Sequence, residues 1–230
     1  MLSLLTLPTD NWTTACKWDT VIPFEPMWEQ LKRIIKPNGA IVLFGNEPFS
    51  SALRMSNIKN YKYDWVWQKN AGSNFGSVRF QPMKEHENIM IFKGNYIGAV
   101  NYYPIKEKRA ESGLARSKTK VKFNTKTNVY SNSLHNILES DIGEFRTPSS
   151  IQKFNRERGL HPTQKPVALI EYLIKTYTNE WETVLDFTIG SGTTAIACIN
   201  TNRNYIGFEL DKWYFDIANE RIAWKLQNKK

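Results

Sequence analysis

Residues 185–209 read LDFTIGSGTTAIACINTNRNYIGFE, and this stretch decides the fold. The pattern predicts a strand that ends at Asp186, a turn with Gly190 and Gly192, a helix, and a strand that ends at Glu209. The glycines let the backbone come close to a ligand, and the start of the helix offers unpaired N–H groups. A carboxylate about twenty residues after such a turn can accept hydrogen bonds from both ribose hydroxyls, so we expect a ligand that contains a nucleoside.

Two common phosphate-binding loops do not fit this turn. Ala195 stands where the three-glycine dinucleotide pattern has its third glycine, and the Lys-Ser/Thr pair of a P-loop is missing. A lone G-x-G is also compatible with a strand-to-helix turn that holds no ligand. The position of Glu209 favours the nucleoside.

Helices and strands alternate along most of the rest of the chain. The segment 25–36 places Met27, Leu31, Ile34 and Ile35 on one helical face, and PNG at 37–39 ends that helix. The further elements predicted are strands at 40–45, 63–67 and 88–92, a helix within 161–177, a strand at 183–187, a helix over 191–200, a strand at 204–209 and a helix from Lys212. This alternation predicts a parallel α/β sheet that binds its ligand at the carboxyl ends of the strands.

Composition limits the class of protein and of partner. The chain has 230 residues, 41% of them hydrophobic, and a formal net charge of +9, which suits a polyanion such as nucleic acid as well as a merely basic soluble protein. Its two cysteines, Cys16 and Cys198, are too few for a disulfide framework or a Cys-rich metal site. We therefore expect no metal and a reducing cytoplasm, and we find no signal peptide or apolar run long enough to span a membrane.

Periodicity fades between about residues 93 and 158, where Ser, Asn, Thr and Lys dominate. Within this part, residues 106–130 read KEKRAESGLARSKTKVKFNTKTNVY and are strongly basic. Lysines in such a segment can neutralise phosphates, although a solvated loop has the same composition. We interpret the segment as an insertion into the sheet.

Several stretches together resemble the DNA amino-methyltransferases, and specifically the permuted group whose catalytic half precedes the cofactor half. They are TTACKWD (13–19), HENIMIFK (86–93), HPTQKP (161–166), VLDFTIGSGTTAIA (184–197) and NRNYIGFELDKWYFDIANERI (202–222). The resemblance implies a Rossmann-like sheet, S-adenosylmethionine as methyl donor, and double-stranded DNA as substrate. It implies methylation of an exocyclic base amine, with adenine N6 preferred over cytosine N4, in a restriction–modification or phage context. A homodimer is compatible with it.

The resemblance assigns the cofactor site residue by residue. Where the family commonly has proline and then phenylalanine after the strand, this chain has Phe187 and Thr188. Residues 161–165 match the motif that closes over the methionine end of the cofactor, and Glu209 matches the acid that binds the ribose. The complete set of implied cofactor residues is His161, Pro162, Thr163, Gln164, Lys165, Asp186, Phe187, Gly190, Gly192, Thr193, Thr194 and Glu209.

It also divides the chain into three parts. Residues 1–93 match the catalytic half, residues 94–160 the inserted target-recognition segment, and residues 161–230 the cofactor half. DNA contacts are expected from Lys118, Lys120 and Lys122 of the insertion, and from Lys69, which follows a strand near the expected position of the target base.

The family's catalytic motif, Asp-Pro-Pro-Tyr or a close variant, is not intact. Its usual place precedes TTACKWD, where this chain reads LLTLPTDNW (4–12) without a Pro-Pro pair. In one interpretation, Asp10 accepts the hydrogen bond of the target amine and Trp12 stacks on the flipped base. In a second, residues 2–11 are the helix and turn that precede the catalytic strand, and that strand is missing. In a third, Asp10 is a turn residue and Trp12 a core aromatic.

The sequence thus predicts a site-specific DNA methyltransferase. The alternatives are a catalytically degenerate remnant that binds DNA and cofactor, and a methyltransferase that acts on RNA or protein.

Overall fold

The computed structural model describes the backbone of residues 2–6 and, with side chains, residues 21–111, 114 and 144–228. Its strands are β1 (Leu2–Thr6), β2 (Ala40–Gly45), β3 (Tyr61–Gln68), β4 (His86–Lys93), β5 (Glu107–Lys108), β6 (Phe145–Arg146), β7 (Ile151–Lys153), β8 (Thr183–Asp186) and β9 (Asn204–Gly207). Its helices of eight or more residues are α1 (Phe24–Ile34), α2 (Phe49–Ser56), α3 (Val167–Tyr177), α4 (Thr193–Asn200) and α5 (Lys212–Gln227).

Seven of these strands form one sheet in the order β7-β3-β4-β2-β1-β8-β9. All of them run in one direction except β4, which is antiparallel to both of its neighbours, β2 and β3. The prediction of a wholly parallel sheet is therefore wrong for this strand. Two parallel neighbours need a crossover connection, which is usually a helix. Residues 69–85, which join β3 to β4, contain a single short 3₁₀ helix (Phe75–Ser77) instead, so β4 returns antiparallel to β3.

β1 lies in the middle of the sheet. Ser3 pairs with Ile41 of β2 on one side and with Leu185 of β8 on the other, both in parallel. The interpretation of residues 2–11 as a helix and turn before a missing strand is therefore wrong, because Leu2–Thr6 is itself a strand.

The sheet buries one apolar face under α3 and α4 and the other under α1. Val42 and Phe44 of β2 belong to the first core cluster, whereas Ile41 and Leu43 belong to the second. This alternation follows from the two-residue period of a strand. A sheet covered on both faces, with a helix between β8 and β9, confirms the predicted Rossmann-like α/β fold.

Residues 1–103 and 150–230 form one compact unit and residues 104–149 another. Within the second unit, β5 and β6 pair in antiparallel fashion, and Arg146 contacts Glu107 at 2.7 Å. The functional division at residues 94 and 160 stays a prediction. Among the described residues, no helix is both long and apolar enough to span a membrane.

Candidate active site

The predicted site residues that the structure describes lie at one edge of the sheet. Because β1, β2, β3, β8 and β9 run in the same direction, their carboxyl ends lie at this edge together with the amino end of β4. Asp186 ends β8, Glu209 follows β9, and Lys69 follows β3. The amino end of β4 adds a residue that the sequence pattern did not single out, Glu87.

The turn between β8 and α4 requires glycine at two positions. Gly190 and Gly192 have φ values of +52° and +82°, in the left-handed region that other residues rarely adopt. A Cβ atom on Gly190 would lie 3.3 Å from the His161 ring, and one on Gly192 would lie 3.1 Å from Cβ of Ala218. The turn is thus packed closely between the 161–166 segment and α5.

Asp186 accepts hydrogen bonds from residues of this turn and of α4. Its Oδ1 accepts a hydrogen bond from the backbone N–H of Thr188 at 3.1 Å, and its Oδ2 accepts one from the hydroxyl of Thr194 at 2.5 Å. Burial, the largest cause, and the nearby Glu209 carboxylate raise the pKa of Asp186 to about 6, although its hydrogen bonds oppose this shift. Both oxygens therefore accept hydrogen bonds from the turn and from the start of α4, and the role of Asp186 in cofactor binding stays a prediction.

The two threonines that begin α4 are buried and hydrogen-bonded as well. Arg221 of α5 donates to the hydroxyl of Thr193 and to the carbonyl of Ser191, both at 3.2 Å. Phe187 packs against the core cluster on the α1 face of the sheet. These contacts attach the turn to α5 on one side and to the core on the other.

Glu209 bonds the turn directly. Its Oε2 accepts from the Gly190 N–H and its Oε1 from the Asp211 N–H, both at 2.9 Å. A carboxylate has about four acceptor positions, so these two bonds leave capacity for ribose hydroxyls. The sequence spacing predicted the ribose contact alone, and the structure adds a contact that shapes the turn.

The 161–166 segment covers the turn. The His161 ring lies beside Gly190, and its centroid is 4.1 Å from that of Tyr214. Nδ1 of His161 accepts a hydrogen bond from the Thr163 backbone N–H at 3.2 Å. Burial first, and then the positive charge of Lys165, lower the pKa of His161 to about 4, so this ring is neutral at pH 7.

Gln164 of this segment is hydrogen-bonded to another part of the protein. Gln164 donates to a carboxylate oxygen of Glu157 at 3.2 Å, and the other oxygen of Glu157 accepts from the Val167 N–H at the start of α3. Pro162 is exposed. Gln164 therefore positions the segment against the beginning of α3.

Two predicted site lysines meet on one buried carboxylate. Glu87 contacts Lys165 at 2.8 Å and Lys69 at 3.0 Å, and the three side chains are only 7–8% exposed. Burial is the largest effect on Glu87 and would raise its pKa, but the two lysines outweigh it and lower the pKa. Glu87 is therefore ionised at pH 7 and lies between the two lysines.

The two ammonium groups of this cluster also lie near two aromatic rings. The distance from Lys69 Nζ to the centre of the Trp67 ring is 4.9 Å, and Lys165 Nζ lies 5.3 Å from the centre of the Phe44 ring. The roles of Lys69 in DNA contact and of Lys165 in cofactor contact stay predictions. Glu87 could have been suspected, since it is an acid two residues before the apolar run Ile89–Phe92 of β4.

Five predicted site residues lie outside the described residues. They are Asp10, Trp12, Lys118, Lys120 and Lys122.

The fold and this edge define a class of protein, a Rossmann-like domain built to bind a nucleoside-containing cofactor. Residues 9–220 match the model of the N6/N4 DNA methylase family, and the chain belongs to this family. The predicted resemblance to the DNA amino-methyltransferases is thereby confirmed, whereas the permuted order of the two halves stays a prediction.

Individual relatives agree with the family assignment. The chain is 29% identical over 207 residues to the type II methyltransferase M.HpaI of Haemophilus parainfluenzae and 28% identical over 222 residues to M.HinfI of Haemophilus influenzae. These matches cover 87% and 93% of this chain but 59% and 54% of the relatives, so the chain spans little more than half their length. The crystal structure of the M1.HpyAVI–SAM complex superposes with a TM-score of 0.58 at 25% identity, covering 96% of this chain and 88% of that one.

Proposed function

We propose that this protein transfers a methyl group from S-adenosylmethionine to an exocyclic amino group of a DNA base, and that the base is adenine, methylated at N6. The observation that carries the proposal is the glycine turn at the carboxyl edge, closed by the 161–166 segment and bonded by Glu209, in a chain of the DNA methylase family. The M1.HpyAVI–SAM complex, which superposes on most of the chain, supports the choice of cofactor.

The described residues fit this cofactor. Gly190 and Gly192 carry no side chain, so the backbone of the turn can lie directly against the ligand. Glu209 keeps free acceptor positions for the two ribose hydroxyls, and neutral His161 adds no positive charge next to a cationic sulfonium. When bound, S-adenosylmethionine supplies an electrophilic methyl group.

The position of β1 supports a role for the residues that follow it. β1 lies directly beside β8, so the chain leaves β1 at the same edge as the turn after Asp186. Asp10 comes four residues after the end of β1, and Trp12 six. We infer that Asp10 accepts a hydrogen bond from the target amine and that Trp12 stacks on the flipped base. The amine nitrogen would then form a bond to the methyl carbon as the sulfur–carbon bond breaks, and the amine would release one proton to solvent.

The basic insertion is proposed to hold the DNA. Lys118, Lys120 and Lys122 alternate with neutral residues in a part of the chain with few acids, and the whole chain carries a net charge of +9. Each phosphate contact contributes about 0.9 to the slope of log affinity against log salt concentration. Neutralising all three lysines should reduce that slope by roughly 3 units.

A methyl-transfer assay tests the catalytic proposal. The wild type should label unmethylated duplex DNA from S-adenosylmethionine, and nucleoside analysis should find N6-methyladenine. Asp10→Ala should abolish transfer and leave cofactor affinity unchanged in calorimetry, because the interaction matters mainly in the transition state. Asp216→Ala removes an exposed acid of α5 and serves as the matched control.

Two results would reject parts of this proposal. A wild type that binds cofactor and DNA without transferring a methyl group would be the degenerate remnant. Label on cytosine N4, RNA or protein would replace the proposed substrate.

The proposed DNA contact of the insertion needs a separate control. Lys32, Lys36 and Lys59 are exposed and lie at the opposite, amino edge of the sheet, before β2 and β3. Neutralising these three should leave the salt slope unchanged. Equal slopes for both triple variants would remove the insertion from the DNA contact.

A further inference from the structure

The loop between β3 and β4, residues 70–85, exposes an unusual amount of apolar surface. Phe80 is 89% exposed and Phe75 60%, and Val78 and Met83 are exposed as well. Single exposed apolar residues need no explanation, but a cluster of this kind marks an interaction site. β3 ends and β4 begins at the carboxyl edge, so the β3–β4 loop lies at the edge that holds the cofactor turn.

Internal hydrogen bonds define the shape of this loop. The Asn74 side chain donates to the Pro82 carbonyl at 3.0 Å and accepts from the Lys84 N–H at 2.6 Å. The Phe80 N–H donates to the Ser77 carbonyl at 2.9 Å. The backbone therefore presents the Phe80 ring to solvent in a preorganised position, which lowers the entropic cost of inserting it into a partner.

Positive charge flanks the loop. Residues 153–158 run beside its base, where the Arg156 N–H donates to the Asn70 side chain at 3.0 Å. This segment adds Arg156 and Arg158 to Arg79 of the loop. Burial, and then repulsion by Arg158, lower the pKa of Arg156. Nε of Arg156 is buried and has no hydrogen-bond partner among the described residues, so an anion would satisfy it.

The base of the loop is connected to the cofactor turn through side chains. Lys69, which begins the connection, contacts Glu87, and Glu87 contacts Lys165. Lys165 belongs to the segment whose His161 ring lies beside Gly190. A base held at the cofactor would therefore bring its flanking duplex to the edge from which the loop projects.

We infer that the β3–β4 loop is a DNA wedge. Phe80 inserts beside the target base and unstacks its neighbour, while Arg79, Arg156 and Arg158 neutralise the adjacent phosphates. The inference rests on the proposed function and adds a second DNA contact, built from residues of the larger compact unit and not from Lys118, Lys120 or Lys122. Aromatic rings on rigid elements are suited to this role, because stacking on bases needs no particular sequence.

Duplex affinity of Phe80→Ala tests the wedge. Loss of one base–aromatic contact should weaken binding about 5- to 150-fold, and it should leave the salt slope unchanged because no charge is removed. Arg156→Gln should instead lower the slope by about one unit. Trp181→Ala is the matched control, since Trp181 is 72% exposed but precedes β8 at the amino edge, and it should bind like the wild type.

A second measurement reports on the base itself. Once the methylated sequence has been read from modified plasmid DNA, a duplex with 2-aminopurine beside the target base should fluoresce when the wild type binds. The increase should be lost in Phe80→Ala and kept in Trp181→Ala. Thermal denaturation should show equal stability of the three proteins.

The outcomes separate the two proposals. A wild type that methylates DNA, with Phe80→Ala indistinguishable from Trp181→Ala, would overturn the wedge and leave the methyltransferase proposal intact. A change of self-association in place of DNA affinity would make the loop a protein contact and overturn the wedge. A wild type without affinity for DNA would overturn both.

Discussion

Replacing Glu87 by glutamine should destabilise the protein strongly, although the substitution keeps the shape of the side chain. The carboxylate is buried and holds two ammonium groups at 2.8 and 3.0 Å. Removing one partner of a buried ion pair costs about 3–5 kcal/mol. A second figure comes from the lysines. If the variant deprotonates one of them, removing that proton at pH 7 from a lysine of ordinary pKa costs roughly 4.6 kcal/mol. The two figures agree, so we expect a loss of about 3–5 kcal/mol in the free energy of unfolding.

Urea denaturation measures this loss. With a slope of roughly 2–3 kcal/mol per molar urea, the midpoint should fall by about 1–2 M. Asp216→Asn is the control, because it breaks an exposed ion pair with Lys212 and should cost less than about 0.5 kcal/mol. A loss below about 1 kcal/mol for Glu87→Gln, with an unchanged slope, would refute the argument that the cluster depends on a charged Glu87.

The pH dependence adds a second check. The folded protein lowers the pKa of Glu87 below its ordinary value of 4.5, so its contribution is fully present above pH 4.5 and is lost as the pH falls through the folded pKa. The difference between wild type and Glu87→Gln should therefore shrink in acid. Burial lowers the pKa of Lys165 and Glu87 opposes that shift, so the variant should regain stability as the pH rises towards the ordinary pKa of lysine.

Three further variants probe the cofactor turn. Glu209→Ala should weaken S-adenosylmethionine binding by about 1.5–3 kcal/mol in calorimetry and lower the thermal midpoint of the ligand-free protein, because Gly190 loses its acceptor; unchanged affinity would exclude Glu209 from the site. Gly192→Ala should cost roughly 1–3 kcal/mol in urea denaturation, from left-handed strain and from contact with Ala218, and full stability would contradict the close packing. Asp186 has a pKa raised from 3.8 to about 6, so its contribution is present below pH 4 and lost as the pH rises through 6. Asp186→Asn should therefore gain stability relative to the wild type over that range, and a constant difference would argue against a raised pKa.

The amino-acid sequence by itself determined the parts of the fold that depend on near neighbours along the chain. The periodicity of hydrophobic residues and the positions of glycines are local properties of the chain. They correctly predicted β2, β8, α4 and the turn between β8 and α4. The spacing from Gly190 to Glu209 likewise predicted an acid at the turn, and the two are hydrogen-bonded. The quoted motifs were specific enough to predict the family.

Tertiary structure alone decided which distant residues meet. Leu2–Thr6 became a central strand through pairing with β2 and β8, more than thirty and nearly two hundred residues away, and no local pattern contains that information. The sequence assigned Lys69 to DNA contact and Lys165 to the cofactor site without singling out Glu87, and only the antiparallel return of β4 placed Glu87 between the two lysines. The physical reason is that periodicity reports which side of an element is apolar, whereas ion pairing depends on the three-dimensional register of elements far apart in sequence.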